Sequence, residues 1–142
     1  MLLFAYGSNL SEIDGLCPEA EYLGPARLDG RRLAFLRRSI RWGAGVADIA
    51  PDPGSHVWGA LFNLPAPCLK ALDAKEGEGF AYRRVELDVA HDGQAVRAHA
   101  YELIEREESE IAPREDYVAL LVQGARARGL PEDWVARLER VQ

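Results

Sequence analysis

The chain opens on Met1-Leu2-Leu3-Phe4-Ala5-Tyr6-Gly7-Ser8-Asn9-Leu10, an apolar run that ends abruptly in small polar residues. Both alternating sets, Leu2/Phe4/Tyr6 and Leu3/Ala5, are apolar, so the run predicts a strand buried on both faces. Such a strand must be covered on each side, which limits how the rest of the chain can fold. Gly7 has access to backbone conformations closed to other residues, and Asn9 tolerates the left-handed region. Gly7-Ser8-Asn9 can therefore turn several N–H groups toward one point. That arrangement suits an anion or a developing oxyanion, although on these residues alone an ordinary strand-to-helix turn capped by Ser or Asn is the favoured reading.

The remainder of the chain mixes strands and helices. Leu10 to Leu16 predicts a short helix closed by Cys17-Pro18, and Ala20 to Leu36 predicts two strands around a turn at Leu28-Asp29-Gly30. Val46 to Ile49 reads as a short strand stopped by Pro51-Asp52-Pro53-Gly54, and Val57 to Leu64 as another. Pro65-Ala66-Pro67 opens a helix, since proline fits a first turn whose N–H groups need no intrahelical partner, and Gly77 is a good cap at its end. Tyr82 to Ala90 and Ala95 to Leu103 form a hairpin pattern around Asp92-Gly93. Tyr117, Leu120, Leu121 and Gly124 share one face of a helix that Gly129 ends; Trp134, Leu138 and Val141 form the stripe of a second, begun by Pro131. This order predicts an α+β fold with a strongly curved sheet or barrel, in a single domain spanning 1–142.

Composition narrows the function classes. An apolar content of 48% with 28% charged residues describes a soluble globular chain rather than a disordered one. A net charge of −6 argues against general nucleic-acid binding. Arg27, Arg31, Arg32, Arg37, Arg38 and Arg41 do gather basic charge, but strand alternation divides them between faces, so they read mainly as solvated edges, with contact of one or two to an anionic substrate as the lesser alternative. No apolar run approaches the roughly 20 residues of a membrane span. Cys17 and Cys68 read as small buried hydrophobes, and with no secretory signal the expected setting is the reducing cytoplasm. No zinc-ligand spacing, Walker lysine or dinucleotide pattern is present. Ser8 lacks the Gly-x-Ser-x-Gly setting, and His56, His91 and His99 lack a triad spacing, so a serine nucleophile is not expected.

Glu76 is the sharpest catalytic candidate. Leu69, Leu72 and Glu76 stand at i, i+3 and i+7, so the carboxylate shares a face with two core leucines. The apolar stripe and the negative end of the helix dipole would both raise its pKa toward the range useful for moving protons near neutral pH. A frayed surface position at the helix end is the competing reading. Tyr6, Tyr82 and Tyr117 can bring phenols to the same pocket, as donors or as walls.

Taken together, these pieces resemble the gamma-glutamylcyclotransferase family, which includes the AIG2-like proteins. Phe4-Ala5-Tyr6-Gly7-Ser8-Asn9-Leu10 resembles its opening motif, while Gly45-Val46-Ala47-Asp48-Ile49 and Val57-Trp58-Gly59-Ala60-Leu61 resemble internal strands. Leu72-Asp73-Ala74-Lys75-Glu76-Gly77 followed by Tyr82-Arg83-Arg84 resembles its catalytic segment, and Pro113 to Tyr117, Gly124-Ala125-Arg126 and Gly129-Leu130-Pro131 its C-terminal helices. The resemblance implies a small mixed β-barrel flanked by α-helices. It implies Glu76 as catalytic acid and base, with Tyr6, Gly7, Ser8, Asn9, Leu10, Ser11, Tyr82 and Tyr117 around the substrate. Arg114 stands where relatives often carry serine. The implied reaction releases 5-oxoproline from a gamma-glutamyl amino acid or amine without cofactor or metal. The implied partner is that small substrate, with no nucleic acid or membrane, in a monomer or homodimer. A relative acting on another gamma-glutamyl amine, or a binding protein that kept the pocket, remain the alternatives.

Overall fold

The computed structural model describes residues 1–77, 79 and 81–141. Among these the order is β1 (Leu2–Ala5), α1 (Asn9–Leu16), β2 (Glu21–Arg38), β3 (Gly45–Asn63), α2 (Ala66–Glu76), β4 (Tyr82–His91), β5 (Gln94–Leu103), α3 (Glu115–Ala127) and α4 (Glu132–Glu139). The strands close into a barrel in the order β1-β3-β2-β4-β5. β1 lies antiparallel to β3, with Ala5 opposite Ala60, and parallel to β5, with Leu3 opposite His99. The barrel is therefore mixed, and the chain has the expected α+β class.

Two strand expectations are corrected. β2 is one strand where two were expected: Gly30, at φ 82, lies in a register shift between Asp29 and Arg31 and does not reverse the chain. β3 likewise runs through Pro51-Asp52-Pro53-Gly54. Asp29 faces His56 while Arg31 faces Pro51, so residues 52–55 stand opposite Gly30 alone. A bulge absorbs surplus residues and lets the ladder resume on either side, and it accommodates prolines that a regular central strand would reject. The Asp92-Gly93 hairpin forms as expected, both residues having positive φ.

The core joins barrel to helices. Leu3, Phe4, Leu61 and Phe62 of the barrel pack in one cluster with Leu69 and Leu72 of α2, Leu121 of α3 and Leu138 of α4, all essentially without solvent contact. Each such side chain contributes about 1.5–3 kcal/mol relative to an exposed one. α3 crosses α1 so closely that a Cβ on Gly124 would lie 2.5 Å from the Leu10 Cβ, which excludes larger residues there. α2 ends at Gly77 in the left-handed conformation (φ 61, ψ 50), its N–H turned back to the Ala74 carbonyl.

Cys17 and Cys68 are buried as expected but are bonded to each other, their Cα atoms 5.5 Å apart, so their reading as separate thiols is corrected. α1 and α2 lie side by side in opposite directions, which sets Cys17, just past the end of α1, beside Cys68 in the first turn of α2. A separation of 51 residues hides this pairing from local sequence patterns. It also removes unpaired cysteine as a ground for a reducing compartment. Among the described residues no helix is long and apolar enough to cross a membrane.

Candidate active site

β1 delivers Tyr6 and the Gly7-Ser8-Asn9 turn to one mouth of the barrel, where they meet the end of α2. Phe4 to Asn9, Ala47, Glu76, Tyr82, Tyr101 and Tyr117 enclose a narrow cavity there. Glu76 carries the only carboxylate among the described residues of this lining. Its side chain is 14% exposed. The Asn9 amide donates to its Oε1 at 3.1 Å, and the Lys75 ammonium reaches the same oxygen at 3.3 Å. Oε1 is held by two donors, whereas Oε2 accepts from no described residue. The carboxylate points inward as its place on the stripe predicts. Its neighbours, however, are an amide and an ammonium rather than the purely apolar surface expected.

Lys75 organises this end of the site. Besides Glu76 it donates to Ser8 Oγ at 3.0 Å and Asn9 Oδ1 at 2.5 Å, and it pairs with Glu12 at 3.3 Å. Burial pushes the Glu12 carboxyl upward, but hydrogen bonds and charge from Arg41 and Lys75 outweigh it and hold Glu12 below its ordinary value. Glu12 thus stays ionised and shares the lysine with Glu76.

The turn keeps donors free. Leu10 N–H closes onto the Gly7 carbonyl, and Ser11 and Glu12 N–H groups onto that of Ser8, whereas Gly7 and Ser8 N–H groups donate to no acceptor among the described residues. They stand at the start of α1, where the helix dipole favours negative charge. A Cβ on Gly7 would approach the Ala47 Cβ at 3.3 Å and the Tyr117 oxygen at 3.8 Å, so glycine keeps this wall open.

Four phenols form the remaining polar wall. Tyr6 donates to the Tyr101 carbonyl at 2.5 Å, Tyr82 to the Ala47 carbonyl at 2.7 Å, and Tyr101 to Asp73 at 2.7 Å. The Ala47 N–H donates to the Tyr117 oxygen at 2.9 Å, so one residue's backbone anchors two tyrosines. Burial raises the pKa of all four phenols, and the hydrogen bond to Asp73 raises Tyr101 further. They therefore keep their protons throughout the neutral pH range.

Of the residues expected around substrate, Tyr6, Gly7, Ser8, Asn9, Glu76, Tyr82 and Tyr117 converge on the cavity. Leu10 and Ser11 do not line it: Leu10 is buried against α3, and Ser11 Oγ donates to the Leu120 carbonyl. Arg114, exposed and paired with Asp116 at 3.0 Å, lies outside it as well. Sequence reasoning missed Tyr101, Ala47 and Lys75. Only the strand order brings Tyr101 and Ala47 to Tyr6, while the position of Lys75 beside Glu76 at the helix end was a usable signal. Cys17, Glu19 and Cys68 form a group of metal-ligand residue types, but both sulfurs are engaged in the disulfide.

A family model described as the AIG2-like family matches residues 56–138. The chain is 31% identical over 149 residues to the gamma-glutamylcyclotransferase of Homo sapiens and 30% identical to that of Mus musculus; each match covers 99% of this chain and 78% of the relative. A solved structure of gamma-glutamyl cyclotransferase superposes with a TM-score of 0.92 at 29% identity, covering 100% of this chain and 88% of that one. Full-length likeness in both sequence and fold, at this level of identity, places the protein in the gamma-glutamylcyclotransferase family of enzymes.

Proposed function

We propose that the protein is a gamma-glutamylcyclotransferase, releasing 5-oxoproline and a free amine or amino acid from a small gamma-glutamyl substrate. The observation that carries this reading is the placement of Glu76, the one carboxylate among the described residues lining the cavity, held by Asn9 and Lys75 in the same cavity as the Gly7 and Ser8 N–H groups, which meet no described acceptor.

In this reading the substrate's α-amine attacks its own γ-carbonyl carbon. A new C–N bond closes the five-membered lactam, and the C–N bond to the leaving amine breaks. Folding the glutamyl group into a near-attack shape contributes roughly 7–11 kcal/mol, so no protein nucleophile is required. Glu76 Oε2 takes the proton from the attacking amine and returns it to the departing nitrogen, so no water is consumed. The Gly7 and Ser8 N–H groups bind negative charge, either the substrate's α-carboxylate or the oxygen of the tetrahedral intermediate. The neutral phenols of Tyr6, Tyr82, Tyr101 and Tyr117 shape the wall without competing for the proton.

The deciding experiment incubates the protein and its Glu76→Gln variant with gamma-glutamyl amino acids, gamma-glutamyl-ε-lysine and glutathione, with 5-oxoproline followed by mass spectrometry. Product from the parent, with turnover reduced by about 10²–10⁴ in a folded Glu76→Gln variant, supports the reading. A folded parent that binds 5-oxoproline yet yields none from any substrate would favour a binding protein that kept the pocket. The proposed compartment is the cytoplasm; thiol trapping on rapid lysis reads whether Cys17 and Cys68 are bonded there.

A further inference from the structure

A second, wider groove of about 260 Å³ opens directly off the cavity, the two sharing Ser8, Glu76, Tyr82 and Tyr117 as a common wall. With the glutamyl group in the inner cavity and the scissile bond beside Glu76, the groove is where the leaving group must lie. Among the described residues four cations line it, Arg37, Arg38, Arg41 and Lys75, against the single carboxylate of Glu76.

Three of these cations are occupied. Lys75 is held by Glu12, Glu76, Ser8 and Asn9. Arg41 makes a two-point pair with Glu12, at 2.7 and 3.3 Å, and lies over the Trp42 ring. Arg38 donates to the Gly43 carbonyl at 2.5 Å. Arg37 is different: it is half-buried yet makes no hydrogen bond or ion pair among the described residues. Its charge is nevertheless felt at the dividing wall, where it opposes the upward push of burial on the Tyr82 phenol. A guanidinium partly withdrawn from water without an acceptor is costly unless a ligand supplies one, and its planar fork matches a carboxylate.

We propose that Arg37 is a specificity-determining residue that receives the α-carboxylate of the leaving amino acid, the Trp42 side of the groove accommodating the remainder. This assignment rests on the cyclotransferase reading. It separates gamma-glutamyl α-amino acids from gamma-glutamyl amines, which would fill the groove and leave Arg37 unpaired.

The test compares gamma-glutamyl-L-alanine with gamma-glutamyl-ethylamine, which differ only by the carboxylate. The parent should favour the alanine compound in kcat/KM by about 10- to 100-fold, the worth of a charge-assisted hydrogen bond. Arg37→Gln should bring that ratio close to one, mainly through KM on gamma-glutamyl-L-alanine, and Arg37→Lys should recover part of it. A parent with no preference overturns the assignment. So does an Arg37→Gln variant slowed equally on both compounds, as it would be if Arg37 held the glutamyl carboxylate or served only the fold. Absence of 5-oxoproline from both compounds with a parent that releases it from gamma-glutamyl-ε-lysine or glutathione overturns this assignment alone; absence from every one of these substrates removes the cyclotransferase reading, and this assignment with it.

Discussion

Asn9 and Glu76 meet at 3.1 Å across the junction between the start of α1 and the end of α2, and Cys17 and Cys68 join the opposite ends of the same two helices. The helix pair is thus tied at both ends, by a disulfide at one and by the site itself at the other. Asn9 also accepts from Lys75 at 2.5 Å, so its amide fixes the relative positions of the lysine and the carboxylate.

Asn9→Ala removes both contacts and leaves Glu76 Oε1 with Lys75 alone. A carboxylate misplaced by even part of an ångström loses alignment with the attacking amine. We expect kcat for 5-oxoproline release to fall by about 10- to 100-fold, with a smaller change in KM. Steady-state kinetics check this; an unchanged kcat would mean that Asn9 does not orient the carboxylate.

Tyr117→Phe keeps the ring that meets the edge of Trp42, at a centroid distance of 5.0 Å, but deletes the oxygen that accepts the Ala47 N–H. The buried N–H then has no partner, which costs about 1–3 kcal/mol. Urea denaturation should show a lower midpoint with an unchanged slope. Equal midpoints for parent and variant would mean that another acceptor serves Ala47.

How much of the fold and site was legible in the chain depends on the range of each signal. The opening strand, the Gly77 cap, the Asp92-Gly93 hairpin and the two final helices each announce themselves within a few residues and form, although the last helix ends at Glu139 and leaves Val141 beyond its stripe. Gly30 and Pro51-Asp52-Pro53-Gly54 are also local signals, but a positive-φ glycine or a proline pair fits a bulge as well as a reversal. Only the partner strand decides between them. Glu76 was legible because helical periodicity aims it at the core side. Its partner Asn9 was not, since it lies 67 residues away. The same holds for Tyr101, whose carbonyl receives the Tyr6 phenol across 95 residues.

Glu102 gives a pH-dependent test away from the site. Its carboxylate, almost fully buried, accepts from Arg31 and Arg83, each at 2.7 Å, and Arg106 lies at 3.6 Å. Burial alone would raise its pKa, but the hydrogen bonds and charges of Arg31 and Arg83 prevail and lower it. For an acid depressed in the folded state, the stabilisation is complete above its unfolded pKa, about 4.3, and is lost as pH falls through the lower folded value. Glu102→Gln should therefore be less stable than the parent by about 2 kcal/mol near pH 7, with the gap closing below about pH 4. Denaturation curves for both proteins across pH 3 to 7 measure it, and a gap that persists undiminished at the acid end would exclude this origin.

The disulfide supplies the last test, through the length of chain it closes. Cys17 and Cys68 are 51 residues apart, so the bond restricts a long loop that would otherwise gain freedom on unfolding. Loop-closure entropy for that length corresponds to about 4 kcal/mol. The oxidised parent should accordingly resist urea better than a Cys17→Ser/Cys68→Ser double variant by an amount of that order. Adding a dithiol reductant should lower the parent toward the level of the variant and leave the variant unmoved. Because both serines remain buried between α1 and α2, packing and desolvation add to any deficit in the variant. The reduced parent isolates the bond itself: if reduction leaves its denaturation midpoint unchanged, the covalent link contributes nothing to stability and the pairing of the two helices rests on their apolar contacts alone.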